Sequence, residues 1–387
     1  MHIALFFQVC YNCGGDRMKI AYYYQGNKEY IEKLKKYDLT LLIDDENYID
    51  ELVDYGLNVR VVKYDTNNYD ILVAETDNIK GIFAYKKVVI GTFQVHKNKI
   101  LYLDSFDEKR VLEAQKRDDI KFSIVIPNYN NGEWIGKTIE SVLNQTHKEW
   151  EMYIIDDMST DNSVEVIKSY QDERITLIEN KIKLYNGGSR NVGILKAKES
   201  NPYGYLLFID SDDWLANDKV LETLNHFIDE EDLITLDYQY YMNGKIQGSG
   251  IHSYKDKNDL FMTYGAMCAV WCKCFKVSIA PLFEFNTLME DRNYHYRLIN
   301  RIKTYSNLGK ITHTWNKMNY KSITSNKSQK YNGDLQAKLE WNNCAYRHIA
   351  GMLDLLNEVA DPVWKDFIKQ RIESCKSKIR SGVYEQY

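Results

Sequence analysis

The 387-residue chain lacks most of the signals that would assign it to a specialised class of protein. Its four prolines are scattered, and no apolar run is long enough to cross a membrane. A net charge of −5 excludes the general basic field that is typical of proteins binding nucleic acid or anionic lipid. These absences indicate a soluble globular protein, and its length allows two or three domains.

The cysteines give no sign of a disulfide framework, because the chain has seven of them at irregular spacing. We therefore expect reduced thiols and a cytoplasmic protein that can attach peripherally to the inner face of the membrane. Cys10 and Cys13 form one CxxC motif. Redox or zinc chemistry would require a second pair or a strand–helix context that the sequence does not show.

The chain divides into four predicted regions. Residues 1–17 have an apolar run without a basic start, and Met18 opens a strand-like segment, so we expect 1–17 to be a non-native leader. Residues 18–118 predict a small α/β domain of unknown role, ending in a charged connector helix at Asp107–Arg117. Residues 326–387 predict a helical C-terminal region, through which an oligomer could form.

Residues 119–325 alternate apolar strands with amphipathic helices, which predicts an α/β domain with a mainly parallel central sheet. The predicted strands are Ser123–Ile126, Glu151–Ile155, Ile175–Leu177 and Tyr205–Ile209. The predicted helices are Glu133–Asn144, Ser163–Tyr170 and Ser189–Ala197. Ligands of such sheets bind at the carboxyl ends of the strands.

Two of these strands lead directly into aspartates. Asp210, Asp212 and Asp213 follow one strand, and acids that repel each other at a buried strand end stay ionised most easily beside a cation. Carboxylate oxygens suit Mg²⁺ or Mn²⁺. The alternative for Asp213 is a helix N-cap. After the other strand, Asp156 or Asp157 could accept a hydrogen bond from the N–H of a pyrimidine.

Other residues favour a nucleotide at the same edge. Tyr129, close after Pro127, can lay its ring against a base, although packing at a rim is the alternative. Asn186–Asn191 predicts a glycine turn that enters a helix, and its N–H groups and Arg190 suit a diphosphate or a base carbonyl. The alternative is an ordinary turn with an exposed arginine.

Together, the segments PNYNN, IIDDMSTDNS, GGSRNVGI and FIDSDD resemble the family-2 glycosyltransferases, whose nucleotide-sugar domain has the GT-A fold. The resemblance covers about residues 121–325. It implies a metal bound by Asp212 and Asp210, with His313 from a THTW segment completing the shell. It also implies these nucleotide-sugar-binding residues: Pro127, Tyr129, Asn130, Asp156, Asn186, Gly188, Arg190, Asp210 and Ser211.

The resemblance extends to the pair Glu290-Asp291, which matches the family's acidic pair at the start of a helix. It implies that Asp291 is the catalytic base and that Glu290 lies beside it. The alternative is that the two acids only stabilise the helix N-terminus. For His313 the alternative is a structural histidine. Cys272 departs from the asparagine that is usual in the family's WNK segment.

The sequence thus predicts an inverting transferase that moves a sugar from a UDP-sugar to a hydroxyl, with Mn²⁺ or Mg²⁺ as cofactor. The acceptor is left open among a surface glycan, a cell-wall or polyol polymer, and a glycoprotein. A nucleotidyltransferase is one rival, although PNYNNGEW is not a glycine-rich phosphate loop. A non-catalytic glycan- or partner-binding protein is another. A nucleic-acid acceptor is disfavoured by the net charge.

Overall fold

The computed structural model describes most of the chain from residue 119 onward and shorter stretches before it. The described residues are 19–24, 28–43, 52, 55, 57–61, 68–74, 83–90, 100–103, 119–262, 268–284, 290–319 and 335–381. The predicted leader, the CxxC motif and the predicted connector helix lie outside them. The chain forms two compact units, residues 1–119 with 225–229 and residues 120–224 with 230–387. The domain boundaries drawn from the sequence stay a prediction.

The N-terminal unit contains a six-stranded parallel sheet. Its elements are β1 (Lys19–Tyr23), α1 (Lys28–Leu34), β2 (Asp38–Ile43), β3 (Asn58–Val61), β4 (Asn68–Ala74), β5 (Phe83–Ile90) and β6 (Ile100–Leu103). The strand order is β3-β2-β1-β4-β5-β6. β1 and β2 are nearly continuous apolar runs because strands of a parallel sheet are covered on both faces. Tyr22 and Leu41 are accordingly fully buried.

The C-terminal unit is built around a nine-stranded sheet. Its strands are β7 (Phe122–Asn128), β8 (Trp150–Asp156), β9 (Ile175–Glu179), β10 (Tyr205–Phe208), β11 (Trp214–Leu215), β12 (Leu233–Met242), β13 (Lys245–Gly250), β14 (Lys273–Lys276) and β15 (Tyr305–Asn316). The helices after α1 are α2 (Ile135–Leu143), α3 (Ser163–Lys168), α4 (Tyr185–Ser200), α5 (Val220–Phe227), α6 (Lys257–Phe261), α7 (Glu290–Arg301), α8 (Leu335–Glu358) and α9 (Pro362–Ser381).

The order of strands in this sheet brings the predicted site residues to one edge. β10, β7, β8 and β9 are neighbours and parallel, so their carboxyl ends lie together. On the other side β14 runs antiparallel to both β10 and β12, and β12 is parallel to β15. The predicted α/β class with parallel central strands is confirmed. The antiparallel β14 and the hairpin β12–β13 were not predicted.

Helix α4 packs closely on the parallel strands. Gly193 faces β7 and β8, and a Cβ added there would collide with Cγ1 of Val125 and lie 3.1 Å from Cδ1 of Ile155. Both neighbours are fully buried in the core and have little room to move. Glycine at this position therefore allows α4 to lie close to the sheet. The helix and the sheet together position the site.

We expect Gly193→Ala to lower the free energy of unfolding by about 1–3 kcal/mol, because it overpacks a filled core. Gly136→Ala is the matched control, since its Cβ would first meet the hydroxyl of Tyr170, the mobile end of a side chain. Replacing this helical glycine with alanine should leave the free energy of unfolding unchanged or raise it slightly. Urea unfolding of both variants measures the difference, and equal stabilities would refute the close-packing argument.

The predicted C-terminal helices are confirmed, and they share a hydrophobic core with α7. Met352 of α8 and Trp364 of α9 are buried in the same cluster as Tyr294. Arg297 of α7 donates from Nε to Glu358 of α8 at 3.1 Å. Among the described residues, no helix is both long and apolar enough to cross a membrane.

Candidate active site

Arg190 joins two acidic motifs that are far apart in the sequence. Its side chain is 2% exposed, and its Nη2 lies 2.7 Å from Oδ1 of Asp210. Its Nη1 lies 3.0 Å from Oδ1 of Asp291 and 3.4 Å from Oε1 of Glu290. Burial lowers the pKa of Arg190, but the attraction of the three carboxylates raises it above its ordinary value. The alternative of an ordinary turn with an exposed arginine is therefore wrong.

The burial of Glu290 and Asp291 makes both carboxyls harder to ionise. Burial raises the pKa of Glu290 to about 7, and the negative charge of Asp291 adds to the rise. Burial also raises the pKa of Asp291, whereas Arg190 and a backbone hydrogen bond with Val270 oppose that rise. A carboxylate with a raised pKa at the start of a helix is a suitable proton acceptor near neutral pH. Both residues lie where the sequence predicted them, at the first turn of α7.

Asp213 is a structural residue that links two strands. Its carboxylate is hydrogen-bonded to Nε2 of His313 at 2.9 Å and accepts the backbone N–H of Asn316 at 2.8 Å. Strand β11 follows it directly, so the helix N-cap alternative is wrong. The Nε2 of His313 is thus engaged by Asp213, and metal ligation by His313 stays a prediction.

Asp212 is a partly buried carboxylate beside two other acids. Burial raises the pKa of its carboxyl to about 7, and the neighbouring charges of Asp213 and Asp210 contribute. It accepts one hydrogen bond from the amide of Asn319 at 2.8 Å. A divalent cation would relieve this repulsion, and two carboxylates are a donor set that suits Mg²⁺ or Mn²⁺.

The described residues offer no group of three or more acidic, histidine or cysteine side chains around one ion position. The residues present nevertheless fit such a cation, because Mg²⁺ is commonly held by one or two carboxylates and takes its other ligands from water and substrate phosphates. Asp212 and Asp210 would be those ligands.

The loop after β8 is tied to the loop after β7. The carboxylate of Asp156 accepts hydrogen bonds from Nδ2 of Asn128 at 2.8 Å and from Oγ of Ser159 at 2.6 Å. Asn130 adopts a φ of 52°, in the left-handed region that asparagine tolerates. Its Oδ1 accepts the N–H of Thr160 at 2.7 Å. Asp156 therefore shapes this edge, and its contact with a base stays a prediction.

Tyr129 has a half-exposed ring with a lysine on its face. Nζ of Lys183 lies 2.8 Å from the ring centroid and donates to the backbone oxygen of Asp157 at 2.8 Å. Burial lowers the pKa of this lysine, although Asp157 opposes the change. Pro127 lies inside β7 and is buried. A base that stacks on Tyr129 would have to share or displace Lys183.

The predicted glycine turn is wrong, because Asn186–Gly188 is the first turn of α4. The helix starts early since the carboxylate of Asp157 accepts the N–H groups of Leu184 at 2.7 Å and Tyr185 at 2.8 Å. A Cβ on Gly187 would lie 3.1 Å from the carbonyl oxygen of Glu284. Glycine here permits close packing rather than an unusual turn.

Hydrogen-bonded asparagine side chains lie beside the acids, and the sequence patterns did not predict them. Nδ2 of Asn131 donates to Oγ of Ser211 at 2.7 Å, and its Oδ1 accepts from Nδ2 of Asn319 at 3.0 Å. Asn319 also donates to Asp212. The third asparagine of PNYNN was the available signal for Asn131. Nothing local in the sequence marks Asn319, whose role depends on the return of β15 to this edge.

Comparisons with known proteins agree on one family. Residues 123–276 match the family described as glycosyl transferase family 2. A UDP-Glc:α-D-GlcNAc-diphosphoundecaprenol β-1,3-glucosyltransferase of Escherichia coli is 33% identical over 153 residues, which cover 39% of this chain and 57% of that enzyme. A poly(ribitol-phosphate) β-glucosyltransferase of Bacillus spizizenii is 34% identical over 131 residues, 33% of this chain and 20% of that enzyme.

Among solved structures, this chain is similar to residues 1–349 of S. aureus TarS in complex with UDP-GlcNAc, with a TM-score of 0.45 and 19% identity. The alignment covers 69% of this chain and 93% of that chain. The chain spans only about half the length of the first curated relatives. The family match begins in β7 and ends in β14, so it contains both aspartate motifs and Arg190. Residues 123–276 thus match glycosyl transferase family 2.

Proposed function

We propose that the chain is an inverting glycosyltransferase that moves a sugar from a UDP-sugar to a hydroxyl of a glycan or cell-wall polymer. The observation that carries the proposal is the contact of Arg190 with both Asp210 and Asp291. That contact brings the acids of the nucleotide-sugar motif and the candidate base to one place. The activities of the Escherichia coli and Bacillus spizizenii relatives support a glycan or polyol-phosphate acceptor.

In the proposed mechanism Asp291 accepts the proton of the acceptor hydroxyl while that oxygen bonds to the anomeric carbon. The bond between the anomeric carbon and the UDP oxygen breaks, and the electron pair leaves with UDP. Arg190 orients the carboxylate of Asp291 through its 3.0 Å contact. A divalent cation, when bound, would neutralise the charge that grows on the departing diphosphate. Asp212 and Asp210 would hold it.

The direct test is to incubate the full chain and Mn²⁺ with each of a panel of nucleotide sugars. No acceptor is added, and the released nucleotide is measured. We expect UDP from at least one UDP-sugar, because water can slowly take the place of the acceptor hydroxyl as the nucleophile. Pyrophosphate instead of UDP would support the rival nucleotidyltransferase. No product from any UDP-sugar would refute the proposed donor class.

The raised pKa values predict how the rate depends on pH. A general base works only when ionised, and the ionised fraction of a carboxylate falls as the pH drops through its pKa. Because burial raises the pKa of Asp291 and brings that of Glu290 to about 7, turnover should decline below neutrality. The measurement is turnover at saturating donor from about pH 5 to pH 9. A rate that stays constant down to about pH 5 would contradict the assignment of Asp291.

A location at the inner face of the membrane follows from the proposal only if the acceptor is lipid-linked, as is the diphosphoundecaprenol-linked acceptor of the Escherichia coli relative. That the chain forms an oligomer with α8 and α9 at the interface stays a prediction.

A further inference from the structure

A row of aromatic side chains starts beside the acids and runs outward along β12 and β15. Its inner end is Trp271, whose ring stacks on His313 with 4.5 Å between centroids. His313 is bound to Asp213, directly after the candidate metal ligand Asp212. The residue before Trp271, Val270, forms the backbone hydrogen bond with Asp291. The row therefore begins between the two acidic motifs.

The row continues from Trp271 toward the carboxyl ends of β12 and β15. The ring of Tyr238 lies 5.1 Å from that of Trp271, and the ring of Trp315 lies 6.1 Å from it. Tyr240 is directly opposite Trp315 in the strand register. Nζ of Lys317 lies 4.0 Å from the Tyr240 centroid and 4.4 Å from the Trp315 centroid. We call Trp271, Tyr238, Trp315 and Tyr240, with Lys317, the aromatic row.

The neighbouring strand leaves space for these rings. Gly250 of β13 is paired with Tyr238, and Gly248 is paired with Tyr240. A Cβ at Gly248 would lie 2.6 Å from the Tyr240 hydroxyl, and one at Gly250 would collide with the Tyr238 ring. The tyrosine rings thus lie along β13 instead of standing clear of the sheet. Because Lys317 is over both the Tyr240 and Trp315 rings, these two rings present faces to one shared space.

The chemistry of this surface is specific. Tyr238, Tyr240 and Trp315 are half-buried, so each keeps part of its ring in contact with solvent, and Lys317 is exposed. Among the residues the structure describes, Lys317 has contacts with rings and with no carboxylate. Aromatic faces suit the C–H faces of sugar and polyol units, and an ammonium group without an acidic partner suits a phosphate.

We propose that the aromatic row binds the acceptor, a glycan or polyol chain that carries phosphate groups, and leads its terminal hydroxyl to Asp291. The proposal rests on the proposed function and adds the acceptor class and its binding surface. Repeating units of the chain stack on Trp315 and Tyr240 after Lys317, whose Nζ lies over both rings, moves aside to a phosphate. Lys317 pairs with a phosphate between units, which makes binding sensitive to salt.

The test measures binding of two probes to the full chain without donor, by calorimetry: a poly(ribitol phosphate) hexamer and the neutral cellohexaose. We expect the phosphate oligomer to bind, cellohexaose to bind at least tenfold more weakly, and Trp315→Ala to weaken binding of the phosphate oligomer about tenfold. Lys317→Gln should weaken it and reduce its dependence on salt. Tyr240→Ala repeats the test if Trp315→Ala does not fold, as judged by circular dichroism.

Tyr203→Ala and Lys219→Gln are the matched controls, since both residues are exposed and lie outside the row. They should bind the phosphate oligomer like the wild type. Wild-type affinity in Trp315→Ala and Tyr240→Ala, equal affinity for the two probes, or binding of neither probe would each overturn the proposal. Release of UDP by the wild type without acceptor tests the proposed function separately, so the two failures are distinguishable.

Discussion

Asp291→Asn lowers the turnover of sugar transfer by about 10²-fold or more and leaves the affinity for UDP within about twofold of wild type. Asparagine keeps an oxygen that can accept the hydrogen bond from Arg190, so the cluster around that arginine is preserved. It cannot take the acceptor's proton. Turnover is measured as UDP release with acceptor, and UDP affinity by calorimetry.

The matched control is Asp366→Asn, the same substitution at an exposed position on α9 where the carboxylate pairs with Lys369. It should transfer sugar at the wild-type rate. Turnover of Asp291→Asn within about threefold of wild type would remove Asp291 from the role of base. Loss of UDP affinity in the same variant would instead assign Asp291 to donor binding.

Arg190→Met costs about 3–5 kcal/mol of folding free energy, because it leaves three carboxylates together without their shared cation. The melting temperature should fall by about 6–20 °C. The remaining carboxylates can recover part of the loss by taking up protons, since removal of Arg190 raises their pKa values in the folded state above those in the unfolded state. The loss is therefore largest above neutral pH and smaller as the pH falls.

Lys196→Met, on the same helix, is the control for Arg190. Lys196 pairs with Glu199 at the surface, and a surface ion pair contributes little. Its variant should melt close to the wild type at every pH. A melting temperature of Arg190→Met equal to that of Lys196→Met would show that the arginine does not hold the acids together.

The strand ends of the site could be predicted from the sequence, because there an apolar run meets aspartates within a few residues. Ile154 and Ile155 lead into Asp156 and Asp157, and the same local rule located Asp210. Local patterns also located Asp291 at a helix start. In each case the prediction depends on residues that are neighbours in the chain.

The partners of these acids could not be predicted, because they come from distant segments. Asp213 is paired with His313, 100 residues later, only because β15 returns to the strand end. Arg190 suggested a ligand contact by its position after two glycines. In the structure its guanidinium is instead surrounded by carboxylates from two other elements. The early start of α4 likewise depends on Asp157 accepting N–H groups from Leu184 and Tyr185.

We propose that Asp212, with Asp210, holds a divalent cation that binds the diphosphate of the donor. The test is calorimetric titration of UDP into the full chain under three conditions. These are the wild type with Mn²⁺, the wild type with a chelator, and Asp212→Asn with Mn²⁺. We expect UDP to bind the wild type with Mn²⁺ and to bind at least tenfold more weakly in the other two conditions. Equal UDP affinity in all three conditions would contradict it.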